Sequence, residues 1–277
     1  MRRIVLLLAL AVATAVATSP VPALSLLPAA PPAGSSYAVL QMNLCLSGQA
    51  GCWPRTAYPA VVDEAVGQVV QQDADAVTLN EACSGDAADI ARRTGYRLRF
   101  AAILVGGARL PCVEPGDRGV FGAAVLTRAP IVASHSQAFA THAGAEERRW
   151  LCVTTAGASH VCTAHLSTRD SSAASRANDA ECGELRTVLA RYDARGPTVF
   201  GGDMNRQTPC APTTMWATGD TVAGQLPGIQ HIYGSRFSGD RPFVQVAPAN
   251  HTDHDFCLLY TSPSPRDLST SRMPSSA

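Results

Sequence analysis

Short apolar runs that stop abruptly at polar residues recur along this chain. Ala38–Met42 ends at Asn43, Ala76–Leu79 at Asn80–Glu81, Val161–Ala164 at His165, and Thr198–Phe200 at Gly201–Gly202–Asp203. Uninterrupted apolar runs of this length, rich in Val, read as strands buried on both faces. Tyr96–Ala102 reads as a strand with Arg97 and Arg99 turned outward. Phe121–Leu126 and Ile131–Ser134 flank a turn at Thr127–Pro130. Arg149–Val153 and Val161–His165 read as a hairpin centred on Gly157, with Cys152 opposite Cys162. Two stretches change period. In Tyr58–Gln72, Val62, Val66, Val69 and Val70 share a helical face, and a second helix opens at Ser171 or Ser172 and runs to about Arg191. Asp86 is expected to cap a further helix through Arg93. Ile103–Gly119 and Gln207–Leu226 read as loop, Ile229–Gly234 and Phe243–Val246 as short strands. Strands with a few helices between them and no internal repeat predict one α/β domain with mixed sheets.

The two ends of the chain read differently. Met1–Arg2–Arg3, the apolar run Ile4–Ala17 and the small residues after it have the form of a secretory signal peptide. Residues 1–30 are assigned to it and the start of a linker, 31–37 to the linker, and 38–256 to the domain. From Cys257 the composition turns abruptly to Ser, Pro and Arg, so 257–277 is expected to be a foreign or disordered tail. The nine cysteines fit an exported, oxidising setting, and without the tail eight remain. They contain no Cys-x-x-Cys pair. Cys45–Cys52 and Cys152–Cys162 are expected bridges because each closes a short loop or hairpin. Cys83–Cys112 and Cys182–Cys210 are assigned to the remaining four cysteines without a geometric argument. Between Pro31 and Phe256 stand 18 Arg and 21 Asp plus Glu, a net charge of −3. Any polyanion must therefore be met by local charge rather than by the field of the whole domain.

The chemistry sits at the strand ends. Asn43, Glu81, His165, Asp203 with Asn205, and Asp253–His254 occur in that chain order. If they converge on one rim, carboxylates and amides there suit a hard cation that prefers oxygen, and two histidines beside them suit phosphate contact or proton transfer. Each motif alone is weak.

Together the motifs resemble the endonuclease/exonuclease/phosphatase superfamily: Asn43 in QMNLC, Glu81 in LNEAC, His165 in TAHLS, Asp203 and Asn205 in GGDMN, and Asp253–His254 in HTDHDF. FGAAVLTR at Phe121–Arg128 is similar to a further strand of that family, with Ala123 where Asn is usual. The resemblance spans roughly Ala38–Phe256 and implies a four-layer α/β sandwich of two mixed sheets flanked by helices. It implies in-line attack of water on a phosphate ester. Glu81 would bind Mg²⁺ (Mn²⁺ being an alternative), with Asn43 and Asp253 helping in its shell. Asp203 would orient or deprotonate the water, Asn205 would hold a phosphate oxygen, and His165 and His254 would flank the phosphate. One departure bears on the site. Gln230 stands where many members carry an Asp that supports the last His, so either His254 has a lowered pKa or Asp255 or another group substitutes.

A secreted, monomeric nuclease without stable membrane association is the leading reading. A sphingomyelinase-like or inositol-phosphate phosphoesterase and a non-catalytic disulfide-rich binding module are the alternatives. The chain shows no aromatic hairpin suited to a membrane, and a binding module has no need of the whole polar set. Arg169, Arg206 and Arg148 or Arg149 are candidate phosphate contacts near the motifs. Arg92, Arg93, Arg97 and Arg99 are assigned to a solvated face, and His135, His142 and His160 to the surface.

Overall fold

The computed structural model describes residues 37–219, 228–235 and 243–260. The expected signal peptide and linker, apart from Tyr37, lie outside the described residues, as do residues 261–277. In chain order the strands and helices are β1 (Ala38–Asn43), α1 (Ala60–Gln71), β2 (Ala76–Cys83), α2 (Ser84–Thr94), β3 (Arg97–Ala102), a small ribbon β4 (Leu104–Val105) and β5 (Ala108–Arg109), β6 (Phe121–Thr127) and β7 (Ile131–Ala138). After these come β8 (Arg149–Thr155), β9 (His160–His165), α3 (Ser172–Asp193), β10 (Thr198–Asp203), β11 (Met215–Gly219), β12 (Gln230–Ser235), β13 (Phe243–Ala247) and β14 (Phe256–Tyr260).

Two six-stranded sheets form, ordered β13-β14-β1-β2-β6-β3 and β11-β12-β10-β9-β8-β7. Each is antiparallel except for one central parallel pair, β1 with β2 and β9 with β10. The strand period of two sorts the side chains. Along β1, Ala38, Leu40 and Met42 pack beneath α1 and α2, while Val39 faces the other sheet. Between the sheets Val39, Ala76, Val125, Val153, Val161, Val199, Ile232 and Leu259 form a core of mostly β-branched residues. Leu185, Val188 and Leu189 of α3 cover the outer face of the second sheet with Phe200 and Tyr233. The order helix, sheet, sheet, helix is the four-layer sandwich expected from the motifs.

Several boundaries differ from the sequence reading. β14 carries the fold past Phe256: Ala38 pairs with Tyr260 and Leu40 with Leu258, and Leu258 and Leu259 are fully buried. The domain therefore extends through Tyr260, because β1 would otherwise have an open edge that only these residues fill. Helix α2 begins at Ser84, so Asp86 lies inside its first turn. Its carboxylate meets Arg118 at 2.8 Å, and the Arg118 guanidinium lies over the ring of Tyr58. Met215–Gly219 falls in a stretch expected to be loop. Its apolar Met215–Ala217 is short and stands among polar residues, and it gains its order as β11 by pairing with β12. His160, expected at the surface, is buried, with Nδ1 3.0 Å from the Thr154 hydroxyl.

All four expected disulfides are present, Cys45–Cys52, Cys83–Cys112, Cys152–Cys162 and Cys182–Cys210. Cys152 and Cys162 are direct partners across β8 and β9, as the hairpin register required.

Candidate active site

The four parallel strands deliver their C-terminal ends to the same end of the two sheets. Asn43 is the register partner of Asn80, and Asp203 of His165. Toward this end the seam between the sheets changes from valine to polar side chains. Gln41 donates to Asn80 Oδ1 at 2.9 Å and accepts from the Thr78 hydroxyl, and Asn80 Nδ2 reaches Thr163 at 3.3 Å. Asn80 Oδ1 also accepts the backbone N–H of Asp203 at 2.8 Å, which fastens one sheet to the other directly under the site. The approach is close because Gly201 has no side chain. A Cβ there would lie 2.3 Å from the Thr78 hydroxyl oxygen, well inside van der Waals contact.

Above the seam, Asn43 Nδ2 donates to Glu81 Oε1 at 2.9 Å and to Asp203 Oδ2 at 3.0 Å. Its Oδ1 is taken by the backbone N–H of Cys45 at 3.2 Å, so the amide is placed as a donor to two acids. Glu81 sits where the β2–β6 register shifts between Leu79 and Ala82, with a positive φ of 51°. A bulge re-aims a side chain at the cost of local strain. Here it turns the carboxylate inward, and the Leu46 N–H holds the Glu81 carbonyl at 2.8 Å. Asn205 also has a positive φ, 49°, in the turn after β10, where its N–H donates to Asp203 Oδ1 at 2.9 Å.

The two histidines flank these acids with opposite electrostatics. His165 is buried and its Nε2 lies 3.0 Å from the Asn205 amide nitrogen, which also donates to Leu166 O at 2.9 Å. Burial, with the charges of Arg148 and His254, pushes its pKa well below the ordinary value. With the Asn205 amide nitrogen as donor, Nε2 is the acceptor, which leaves Nδ1 as the ring N–H. That atom is buried without a partner among the described residues, 3.9 Å from Glu81 Oε1. For His254 burial alone would lower the pKa. A 2.8 Å contact from Nδ1 to Asp253 Oδ1 and the charges of Asp203 and Glu81 outweigh it and raise the pKa to about 9. His254 Nε2 lies 3.4 Å from Asp203 Oδ2.

The supporting acid for His254 is therefore Asp253. Gln230 turns into the seam, donating to Asp255 O at 2.6 Å and accepting from Gln41 at 3.2 Å, and Asp255 Oδ1 accepts the Ala249 N–H. The lowered pKa expected as one outcome of Gln230 is not what the geometry gives. Asp253 is also held by Arg55, Nη2 to Oδ2 at 2.6 Å, so both of its oxygens are engaged.

The remaining donors fit a hard divalent cation. Glu81 Oε1 and Asp203 Oδ2 converge on one amide hydrogen-bond donor. Burial raises the pKa of Glu81, and neighbouring Asp203 raises it further, opposed by the Asn43 bond. A cation of charge two would relieve that repulsion, and oxygen donors are what Mg²⁺ prefers. Glu81 could hold such an ion, with Asn43 bridging it to Asp203. Cys45, Cys52 and Asp253 also cluster closely, but the two sulfurs are bonded to each other and offer no thiolate.

Three residues that hold this arrangement escape the sequence reading. Asn178 and Glu181 of α3 are fully buried. Asn178 Nδ2 donates to Ser167 O at 2.7 Å and Met204 O at 2.9 Å, tying together the loops after His165 and Asp203. Glu181 accepts the Ser167 N–H at 2.7 Å and its hydroxyl at 2.6 Å. Their signal in the sequence is polar residues on the apolar face of a helix. Arg55 carries no such signal. His251, by contrast, is tied to Glu64 at 2.9 Å, and Arg92 and Arg93 pair with Asp89 and Asp63 on an exposed face.

A profile of the Endonuclease/Exonuclease/phosphatase family matches residues 54–265. The chain belongs to the endonuclease/exonuclease/phosphatase family. Its members are hydrolases of phosphate esters, and the fold agrees with solved structures. An endonuclease/exonuclease/phosphatase protein from Beutenbergia cavernae is 20% identical, with a TM-score of 0.59, and the match covers 82% of this chain and 71% of that one. The human Nocturnin catalytic domain is 15% identical at TM-score 0.59, covering 82% and 93%. D. rerio TDP2 complexed with single strand DNA product is 14% identical at TM-score 0.54, covering 82% and 98%. A search of curated protein sequences returns no match.

Proposed function

We propose that this family member is a secreted, Mg²⁺-dependent phosphodiesterase acting on nucleic acid. The observation that carries the reading is the single amide of Asn43 bridging Glu81 and Asp203, with a neutral histidine on one side and a protonated one on the other. Glu81 would hold the metal ion, which when bound stabilises charge on the phosphoryl and leaving oxygens. Asp203, aimed by Asn43 and by the Asn205 N–H, accepts the proton of the attacking water. The water oxygen bonds to phosphorus as the opposite P–O bond breaks. Asn205, both of whose amide hydrogens are engaged by His165 Nε2 and Leu166 O, fixes the ring of His165 instead of holding a phosphate oxygen. His165, buried beside Glu81, closes the floor of the site, and protonated His254 donates from Nε2 to charge developing on the phosphoryl group. Donors fixed before the reaction lower the barrier without reorganising.

Secretion is supported by the four disulfides, which persist in oxidising surroundings. Among the described residues no helix is long and apolar enough to cross a membrane. A nucleic-acid substrate is supported by the solved relative that holds a DNA product. The test is a screen of the purified oxidised protein against plasmid DNA, RNA, sphingomyelin and inositol phosphates, with Mg²⁺ and with excess EDTA. DNA or RNA cleavage that EDTA abolishes is expected. Turnover of sphingomyelin or an inositol phosphate alone would replace the nuclease reading, and activity in EDTA would end the metal reading.

A further inference from the structure

Two arginines leave the site's rim beside one another, and one acid of α3 draws them together. Arg169 lies four residues past His165, and Arg206 directly succeeds Asn205. Because His165 and Asp203 are register partners on parallel strands, both loops depart in the same direction. Arg169 Nη1 donates to Asp179 Oδ1 at 2.7 Å and to Asn178 Oδ1 at 3.1 Å. Arg206 Nη1 donates to the same two atoms, at 2.9 Å and 3.1 Å, and its Nε to Thr208 O at 3.0 Å. The other face of the Asn178 amide holds the Ser167 and Met204 carbonyls, so the guanidiniums are fixed relative to the loops that carry His165 and Asn205.

One guanidinium would satisfy Asp179. The second adds a positive charge for which the described residues supply no acid, since Asp170, next in the loop, pairs with neither arginine. The Nη2 groups of both arginines have no hydrogen-bond partner among the described residues. Two like charges held on one carboxylate oxygen repel each other, and an anion arriving between their free donors would relieve that repulsion. Planar guanidinium forks match the oxygens of a phosphate.

We propose that Arg169 and Arg206 form an anion subsite that takes a second phosphate of a nucleic-acid strand while the first is being cleaved, with Asp179 as the positioning residue. The proposal rests on the nuclease reading and extends it: a substrate with a single phosphate has nothing to place there, whereas a nucleic-acid strand carries a phosphate at every step. The domain's overall negative charge makes such a local pair the means of holding a polyanion.

The experiment compares wild type, Arg169→Ala, Arg206→Ala and Asp179→Asn on a DNA oligonucleotide and on bis(p-nitrophenyl) phosphate, which carries one phosphate. Each arginine variant should raise the oligonucleotide KM about tenfold, the scale of one charge-assisted hydrogen bond, with a much smaller change in kcat. The ratio of kcat/KM for oligonucleotide to that for the small diester should fall by a similar factor. The log–log salt dependence should flatten by about 0.7–0.9 per arginine. Asp179→Asn should raise the oligonucleotide KM while keeping the full salt slope, since both cations remain. Equal losses on both substrates, or an unchanged KM and slope, would overturn the subsite and leave the nuclease reading standing. If Arg206→Ala does not fold, the exposed Arg169→Ala decides alone. Wild type that cleaves the diester but neither DNA nor RNA overturns the nuclease reading and the subsite with it.

Discussion

His254 and Asp253 are neighbours in sequence and partners in space, with Nδ1 of the imidazole 2.8 Å from Oδ1 of the carboxylate. The contact keeps His254 protonated, its pKa raised to about 9. A raised histidine pKa stabilises the folded state fully below the unfolded value near 6.5, and that contribution is lost as pH rises through about 9. Urea unfolding of the metal-free protein should therefore show stability falling between about pH 6.5 and 9, by at most about 3.5 kcal/mol at ~1.4 kcal/mol per pKa unit. His254→Gln should flatten that window. An identical profile in the variant would assign the loss to another group.

Glu81, Asp203 and His254 line a rim and not the apolar core. Glu81→Gln and Asp203→Asn should each lower turnover by roughly 10²-fold or more while thermal unfolding moves little, and His254→Ala should lower turnover as much while also losing the stability of its Asp253 contact. Steady-state rates beside melting curves check this. A loss of turnover accompanied by an equal loss of fold would mean that these residues act through stability.

The Cys45–Cys52 bridge borders Glu81, with the Cys52 sulfur 3.6 Å from its Oε2. It closes a loop of sequence separation 7, against 29 for Cys83–Cys112. Because chain-entropy stabilisation grows with loop length, Cys45→Ala/Cys52→Ala should cost less stability than Cys83→Ala/Cys112→Ala. Its effect on Mg²⁺ affinity, read by calorimetry, should be the larger of the two, since the Glu81 carboxylate loses its packing. Equal affinities would detach the bridge from the site.

Gly201 lets the sheets meet beneath the site. Gly201→Ala would bring a methyl group to 2.3 Å from the Thr78 hydroxyl and 3.2 Å from Gln41. Overpacking of this kind costs about 1–3 kcal/mol. It should also lower kcat, because Asp203 is two residues along the same strand. A fully stable, fully active Gly201→Ala protein would contradict the seam.

Leu258 and Leu259 are wholly buried, one on each face of β14. A chain ending at Phe256 loses both, and at roughly 2–5 kcal/mol for each buried leucine removed it should not remain folded. A chain ending at Tyr260 should keep the described fold. Circular dichroism of the two truncations distinguishes the boundaries.

The sequence by itself determined the four central strands, because parallel strands buried on both faces must be continuous apolar runs, and it determined the polar residues that end them, because buried strands tolerate such residues only at a rim. It also determined a helix opening at Ser171 or Ser172, of which the structure uses the Ser171 hydroxyl to cap the Ala174 N–H, and two disulfides close enough in the chain to be read from local spacing. Tertiary structure decided the rest. No local pattern could say that Asp253 would turn back onto His254 while Gln230 turned into the seam, since that choice depends on Gln41 and Asp255 arriving from distant strands. None could show that Asn178 and Glu181 would face loops from β9 and β10, or that Met215–Gly219 would become a strand by pairing with β12. The Phe256 boundary failed for the same reason: Ser/Pro/Arg composition describes the residues beyond Tyr260, whereas Leu258 and Leu259 are ordered by β1, a strand near the opposite end of the chain. Hydrophobic periodicity reports what each segment buries. The partner that buries it is a long-range fact.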